Sequence, residues 1–483
     1  MGGRSVKLAG TEVVVGGFGV SGYAAVAALT RIGARVTLVD DRDDHPPQRV
    51  AALEELGARV RLGAGATAAL PPSTDLVVIS PGWPPRTPLL VEAAAQAVPV
   101  WSEVELGWRL RRPGAPPWLC VTGTNGKTTT VQMLAAILTA AGLRAAAVGN
   151  VGRPVTAAVT DPEPLDVLAV ELSSFQLHWV TSWSPQAAAL LNVAPDHLDW
   201  YDGSLAAYAR DKGRVFERAA RACIYNAADE TTERLARAAT VADGCRVVGF
   251  TLNAPGAGTL GVSDGVLVDR AFASGSTATE LASMADITPS APHNVANALA
   301  AAALARAHGV PATAVRDGLR AFRLDAHRVA PVATLDEVEY VNDSKATNPH
   351  AAEASLLSFP SVVWVGGGLA KGAAFDELVR ATRDRLRGAV LIGADRHRIA
   401  AALARHAPDV PVVEVDGGET GTVMDRVVDA AAAMSRPGDI VLLAPGCASQ
   451  DMFADYGARG DAFAAAVQRR VGLAGQEERN RRR

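Results

Sequence analysis

Short apolar runs recur along this chain, and each is followed by a glycine-bearing or acidic turn and then by an alanine-rich stretch. "EVVVGG", "RVTLVDD", "DLVVIS" and "VPVW" fall before Pro113. "WLCVTG", "DVLAVEL", "AAALLNV", "ACIYN" and "CRVVGF" follow, and "SVVWVGGG", "AVLIGA", "VPVVEV" and "DIVLLAPG" lie beyond Arg323. Near-continuous apolar strands alternating with helices require a largely parallel sheet covered on both faces. The expected class is therefore α/β. At 483 residues there is too much chain for one ordinary core, and the Pro/Arg-rich "RRPGAPP" reads as a linker. Three domains are expected: 1–113 and 324–483, both Rossmann-like, and a central P-loop ATPase domain, 114–323. In the third, "VATLDEVEYVND" reads as a hairpin. The stretch 253–279, rich in Gly, Ser and Thr, reads as a hairpin-bearing surface excursion without an evident function.

A formal net charge of −4 provides no basic field for a nucleic acid. The only cationic cluster is the terminal "QEERNRRR", which reads as a frayed, solvated tail. Cys120, Cys223, Cys245 and Cys447 are far apart in sequence and show no C-x-x-C spacing, which argues against a zinc knuckle or a disulfide framework and suits a reducing compartment. No apolar run reaches the length of a membrane span, and no signal segment precedes the first strand, so a cytoplasmic location is expected.

"WLCVTGTNGKTTT" ends like a phosphate-binding loop, yet Val121 stands where G-x-x-x-x-G-K-[ST] has its first glycine. Its place between a strand and a helix lets loop amides and the helix N-terminus face phosphate oxygens. Gly123, Thr124, Asn125, Gly126, Lys127, Thr128 and Thr129 are the nucleotide-binding candidates. Lys127 would neutralise the β- and γ-phosphates, and the Thr128 hydroxyl would reach Mg²⁺. Glu171, closing the strand "DVLAVE", is either a metal ligand or a surface strand cap. By spacing alone Lys212 is a solvated helix lysine.

"GTNGKTTT", "ELSSFQL", "NVAPDHLD", "HNVANALAA", "HR", "NDSKATNP" and "CASQDMFADY" occur in the order and at about the spacing of the Mur ligase family. The resemblance covers essentially the whole chain, and that family's loop also dispenses with the first glycine. It implies an ATP-dependent amide ligase: a substrate carboxylate is phosphorylated to an acyl phosphate, which an amine attacks. It implies UDP-N-acetylmuramoyl-L-alanine and D-glutamate as substrates, ATP and Mg²⁺ as cofactors, and a monomer without nucleic-acid or membrane partners.

Residue by residue, the resemblance implies that Thr128 and Glu171 hold one Mg²⁺ and His197 a second. Lys212 matches a lysine carbamylated by CO₂, whose N-carboxylate supplies the anionic oxygens that Mg²⁺ prefers. Lys127, His197 and Lys212 are thus the catalytic candidates. Asn297 matches an adenine contact, Arg328 a residue near the phosphates and Asp343 one near the ribose. Val20, Ser21, Asp41 and Arg42 are candidates for the UDP moiety, and Asn150 for the muramoyl-alanine end. Thr347, Lys371, Ser449 and Tyr456 match the incoming amino acid's site; D-N-P-R, typical of the diamino-acid-adding member, is absent. Trp200, where a polar or basic residue is expected, and Tyr456, at a position associated with phenylalanine, depart from the pattern.

Two alternatives remain open in the sequence. Another Mur-type or folylpolyglutamate-type ligase would keep the ATP chemistry. An NAD(P)-dependent oxidoreductase would use "GGFGVSG", a G-x-G-x-x-G between strand and helix, with Asp40 as the acid for a ribose.

Overall fold

The structure, a computed structural model, describes residues 8–163, 165–273, 278–324, 326–417 and 420–481. It holds three sheets, arranged in two compact units. The first unit comprises residues up to 290 together with 294–322, and the second comprises 291–293 with 323 onward.

The first sheet is β1 (Glu12–Gly16), β2 (Arg35–Asp40), β3 (Arg59–Leu62), β4 (Leu76–Ile79) and β5 (Val100–Ser102), ordered β3-β2-β1-β4-β5. Every pairing in it is parallel. Its interior strands are buried on both faces, as their unbroken Val/Ile/Leu content requires.

The second sheet has nine strands: β6 (Trp118–Thr122), β7 (Ala145–Gly149), β8 (Val167–Glu171), β9 (Ala187–Leu190), β10 (Ala222–Asn226), β11 (Arg246–Phe250), β12 (Thr259–Ser263), β13 (Val266–Asp269) and β14 (Thr279–Ser283). The order β14-β13-β12-β11-β10-β9-β6-β8-β7 places β6 between β8 and β9. The loop after β6 therefore opens beside the ends of both neighbours, which is where α/β sheets bind ligands. The excursion becomes sheet. β12 and β13 form an antiparallel hairpin about Asp264 and Gly265, both at positive φ, and β14 adds a further strand. Buried Asp269 ties it down: its carboxylate meets Arg306 at 2.9 Å, on helix Pro292–His308. Residues 274–277 of the excursion lie outside the described residues.

In the second unit, β15 (Ala330–Leu335), β16 (Val338–Asn342), β17 (Val362–Gly367), β18 (Leu386–Ile392), β19 (Val412–Glu414) and β20 (Ile440–Leu443) form a sheet ordered β15-β16-β20-β17-β18-β19. The expected hairpin is β15–β16, with the other pairings parallel. Both-face burial holds for β17 and β20 but not for β19, whose three residues are exposed at the sheet edge. The terminal stretch expected as a frayed tail continues as backbone of helix Tyr456–Arg481. No helix among the described residues is long and apolar enough to cross a membrane.

Two acids on helix Glu103–Leu110 join the first two sheets' segments within the first unit. Glu105 accepts bonds from the amides and hydroxyls of Thr181 and Ser182 and from Arg109. Burial raises its carboxyl, but these bonds outweigh burial and the net shift is downward. Glu103 is buried with only Thr156 to serve, whose amide and hydroxyl reach Oε1 at 2.5 and 2.6 Å, while Oε2 has no hydrogen-bond partner. Burial wins there and pushes the carboxyl up to about 7. Donor number thus decides the sign of the shift.

Because the folded chain holds the Glu103 proton while the unfolded chain releases it, stability falls as pH rises from about 4.5 to about 7, by on the order of 3 kcal/mol. Glu103→Gln keeps the acceptor and removes the titration. Thermal melts across that window should show the variant gaining on the parent as pH rises, with the two converging at the acid end. A pH-independent offset would contradict the assignment.

Candidate active site

The loop between β6 and helix Lys127–Ala140 is shaped by one glycine. Gly126 caps the helix at φ +82, and a Cβ there would lie 2.3 Å from Oδ1 of Asn297. No L-side chain fits both demands. The close approach also brings Asn297, on helix Pro292–His308, against the loop.

The remaining loop is fixed from β9 outward. Asn192, just past that strand, accepts from the Asn125 amide at 2.8 Å and donates to the Asn125 carbonyl at 3.2 Å. The Thr124 hydroxyl accepts from the Ala194 amide and lies 3.0 Å from the Tyr208 hydroxyl. Thr128 and Thr129 occupy the first turn of the helix, Thr129 buried. Asn192 and Tyr208 are residues that sequence reading passed over. Asn192 opens the quoted "NVAPDHLD", and Tyr208 lies one helical turn before Lys212.

Two lysine side chains meet inside this loop. Lys127 Nζ donates to the carbonyls of Gly123 and Thr124 at 3.0 and 2.9 Å. Lys212 Nζ, from helix Leu205–Gly213, donates to the same Gly123 carbonyl at 2.8 Å and lies 4.6 Å from the Tyr208 ring centroid. Lys212 is 2% exposed, so the solvated-lysine reading is wrong: the helix turns this face inward. Burial, then the charge of Lys127, drives its pKa well below the lysine value, against the pull of Asp196 and Glu171.

Glu171 ends β8 in register with Val121 of β6. It is buried rather than a surface cap. Asn150 Nδ2 donates to its Oε1 at 2.8 Å, and its Oε2 is buried without a hydrogen-bond partner. An anionic oxygen left so in a protein interior calls for a cation or a water. That donor, beside a threonine-bearing helix N-terminus, fits Mg²⁺, which takes hard oxygens. Among the described residues no three His, Cys, Asp or Glu side chains form a metal-holding group. His197 adopts φ +51, a strained setting for a non-glycine residue, with Nε2 3.7 Å from Asp196 and its ring 5.1 Å from that of Phe175. Trp200 is buried against Phe175, Tyr201 and His178, so the departure at this position is a packing residue.

In the first sheet's segment, Gly17 has φ +92 and a Cβ on Gly22 would lie 1.9 Å from the Gly17 carbonyl oxygen, so the glycines serve a tight strand-to-helix turn. Asp40 is committed within the fold. Its Oδ2 accepts the Phe18 amide at 2.8 Å and its Oδ1 the Arg42 amide at 3.0 Å. Burial pushes its carboxyl up, but those amides and the Arg42 side chain bring it below the ordinary aspartate value. These bonds give the acid a structural role in closing the strand-to-helix turn, which accounts for its position without a dinucleotide. Asp41 is held by the amide and hydroxyl of Thr67. Val20 and Ser21 open helix Val20–Arg31, Val20 being 65% exposed, and the Arg42 side chain is exposed.

In the second unit, Asp343 follows β16, buried, accepting from the Val329 amide and the Ser355 hydroxyl. Burial pushes it up to about 6, with Ser355, Val329 and nearby Arg328 opposing. Ser449 is buried, and Lys371 is exposed at φ +48. Thr347 is half-buried, its amide bonded to the Lys345 carbonyl. Lys345 Nζ stands 3.8 Å over the Tyr456 ring. Arg459, unread in the sequence, donates to Ser344 and to the Cys447 carbonyl from a buried position.

Comparison with known proteins matches residues 11–102 to the Mur ligase MurD-like N-terminal domain, 121–305 to the Mur ligase middle domain and 327–447 to the Mur ligase glutamate ligase domain. The chain is 62% identical over 461 residues to UDP-N-acetylmuramoylalanine–D-glutamate ligase of Streptomyces avermitilis, covering 95% of this chain and 98% of that protein. UDP-N-acetylmuramate-alanine ligase of Thermotoga maritima aligns over 95% of this chain and 99% of its own, with a TM-score of 0.57 at 19% identity. MurF ligase of Thermotoga maritima, solved in complex with ADP, aligns over 97% of each chain with a TM-score of 0.53 at 15% identity.

Proposed function

The chain belongs to the Mur ligase family, and on that premise we propose that it joins D-glutamate to UDP-N-acetylmuramoyl-L-alanine at the expense of ATP. The reaction releases ADP and phosphate and builds a peptidoglycan precursor. The observation that carries the reading is the meeting of Lys127 and Lys212 on the Gly123 carbonyl at the mouth of a helix. The Lys127 cation and a row of loop amides would form a site for polyphosphate, with the buried Lys212 side chain beside it.

Lys127 would neutralise the β- and γ-phosphates as charge moves toward the leaving ADP. Loop residues Gly123–Thr129 would hold the phosphates and Asn297 the adenine. Bound Mg²⁺ would supply charge neutralisation at the γ-phosphate, with Thr128 and Glu171 as holders of one ion, His197 of a second, and a carbamylated Lys212 supplying further anionic oxygens. Burial of the Lys212 side chain supports the modification, since a carbamate is reached by a neutral amine. Arg328 and Asp343 would serve the nucleotide, while Thr347, Lys371, Ser449 and Tyr456 would serve D-glutamate. Val20, Ser21, Asp41 and Arg42 would serve the UDP moiety. Asn150 would bind the muramoyl-alanine end, and its bond to Glu171 would then couple that end to the metal site. We place the domain limits at 113 and 323 and the enzyme in the cytoplasm as a monomer.

Phosphate released from Mg·ATP in the presence of UDP-N-acetylmuramoyl-L-alanine should depend on D-glutamate. L-glutamate, or no amino acid, should leave the signal at background. Equal release with either enantiomer would overturn the substrate assignment.

A further inference from the structure

Cys223 and Cys245 stand 22 residues apart in sequence, yet their sulfurs lie 3.9 Å from each other. Cys223 is on β10 and Cys245 is the residue before β11. In this parallel pair Cys223 is opposite Val247, so Cys245 lies two positions back on the same face of the sheet. Their exposures differ in a useful way. Cys223 is fully buried, while Cys245 is half-buried and follows the exposed turn Ala242–Gly244, whose glycine has φ +81. Of the two, Cys245 is the residue partly open to solvent, and Cys223 lies behind it in the core.

We propose that Cys223 and Cys245 form a redox-active dithiol that hydrogen peroxide converts to an intramolecular disulfide. The Cys245 thiolate attacks one peroxide oxygen. The O–O bond breaks, the departing hydroxide takes a proton to become water, and Cys245 becomes a sulfenic acid. The Cys223 sulfur, giving up its proton, then attacks Cys245; the S–O bond breaks, a second water leaves, and the S–S bond forms. The two thiols lose two electrons, and one peroxide is reduced to two waters.

The hydrogen bond between the sulfurs supports this order of events: it holds the Cys245 thiol below its ordinary pKa and, together with burial, pushes Cys223 far up. The half-buried Cys245 is therefore the nucleophile and the buried Cys223 the resolving partner. Closing 3.9 Å to a bond of about 2.05 Å asks for side-chain rotation and for backbone movement of the segment carrying Cys245, because a diagonal cross-strand pair stands roughly 7–8 Å apart at Cα. Cys120 and Cys447 are buried, and burial raises both thiols, Cys447 to about 12. They supply internal controls. The bond would close a loop containing helix Glu230–Ala238, whose capping Asp229 accepts the Val193 amide in the segment leading to His197.

The test is treatment of the folded full-length protein with a small excess of hydrogen peroxide, followed by non-reducing peptide mapping and thiol titration. The expected result is a Cys223–Cys245 linked peptide, a protein lighter by two hydrogen atoms, and two titratable thiols remaining out of the four cysteines. Cys223→Ser should instead accumulate a dimedone-reactive sulfenic acid at Cys245. Because the parent protein alone gives the decisive map, a poorly folding variant does not blunt the test. Oxidation of Cys245 without cross-linking, or modification of Cys120 or Cys447 at the same rate, would overturn the proposal, as would no reaction at either paired cysteine.

Discussion

Lys127→Ala should lower ATP-dependent phosphate release by on the order of 10³-fold or more, with the melting temperature little changed. The ammonium donates to two carbonyls of its own loop, and the Gly123 carbonyl keeps its bond from Lys212 when that donor is removed. The fold therefore loses little. What disappears is a fixed charge placed before the phosphates arrive, and such preorganised charge acts in a water-poor site where it is worth several kcal/mol. Lys127→Arg should not restore the rate, because a planar five-donor fork cannot occupy the space of a point charge between the Gly123 and Thr124 carbonyls. Phosphate release measured at saturating ATP, paired with a melt of each variant, decides the matter. A folded Lys127→Ala protein turning over within about tenfold of the parent would remove this loop from the chemistry.

Lys212→Ala should be nearly inactive, and added formate, acetate or propionate should restore part of the rate. The reasoning starts from burial. An alkyl ammonium that is 2% exposed and faces a second ammonium is held at a cost. A carbamate exchanges that cation for an anion, which suits a metal beside Glu171 and opposes the charge of Lys127 favourably. Truncation to alanine leaves a cavity into which a small carboxylate fits, delivering the missing oxygens. If the lysine instead acts as a cation on phosphate, alkylamines will rescue and carboxylates will not. The loss expected on truncation is on the order of 10²-fold or more in turnover, with ATP-free stability unchanged or higher. Rescue by amines alone would discard the carbamate.

The α/β class and the phosphate loop were legible because both are local. Strand, turn and helix lie within a few residues at "WLCVTGTNGKTTT" and "EVVVGG", and the hairpins at Asp264–Gly265 and Asp336–Glu337 use positive-φ turn residues. Strand order was not legible. Nothing in the run before Pro445 says that β20 enters between β16 and β17. The site was legible in part, as a resemblance, but its geometry was not. Lys212 and Gly123 are 89 residues apart, and only the inward face of a short helix brings them together. Asp40 shows the opposite failure. Its position after β2 matches a ribose-binding acid, yet the fold uses the carboxylate for the Phe18 and Arg42 amides. Glu103 and Glu105 were missed for a related reason. Acids in the first turn of a helix are the ordinary complement of its dipole, so their burial carries no signature in sequence.

The carboxylates of Glu103 and Glu105 have a bearing on how this enzyme could be recombined. Each acid belongs to the first segment and each set of donors, Thr156 or Thr181 with Ser182, to the second. The code joining them is split across the linker. A chimera that transplants the first segment from a distant relative and cuts at the proline-rich linker would break both halves of that code. It would strand up to six amides and hydroxyls from the recipient and bury two foreign side chains opposite them. The natural seam for grafting a new nucleotide-sugar specificity therefore lies beyond Ser182, where the acids and the groups they serve travel together.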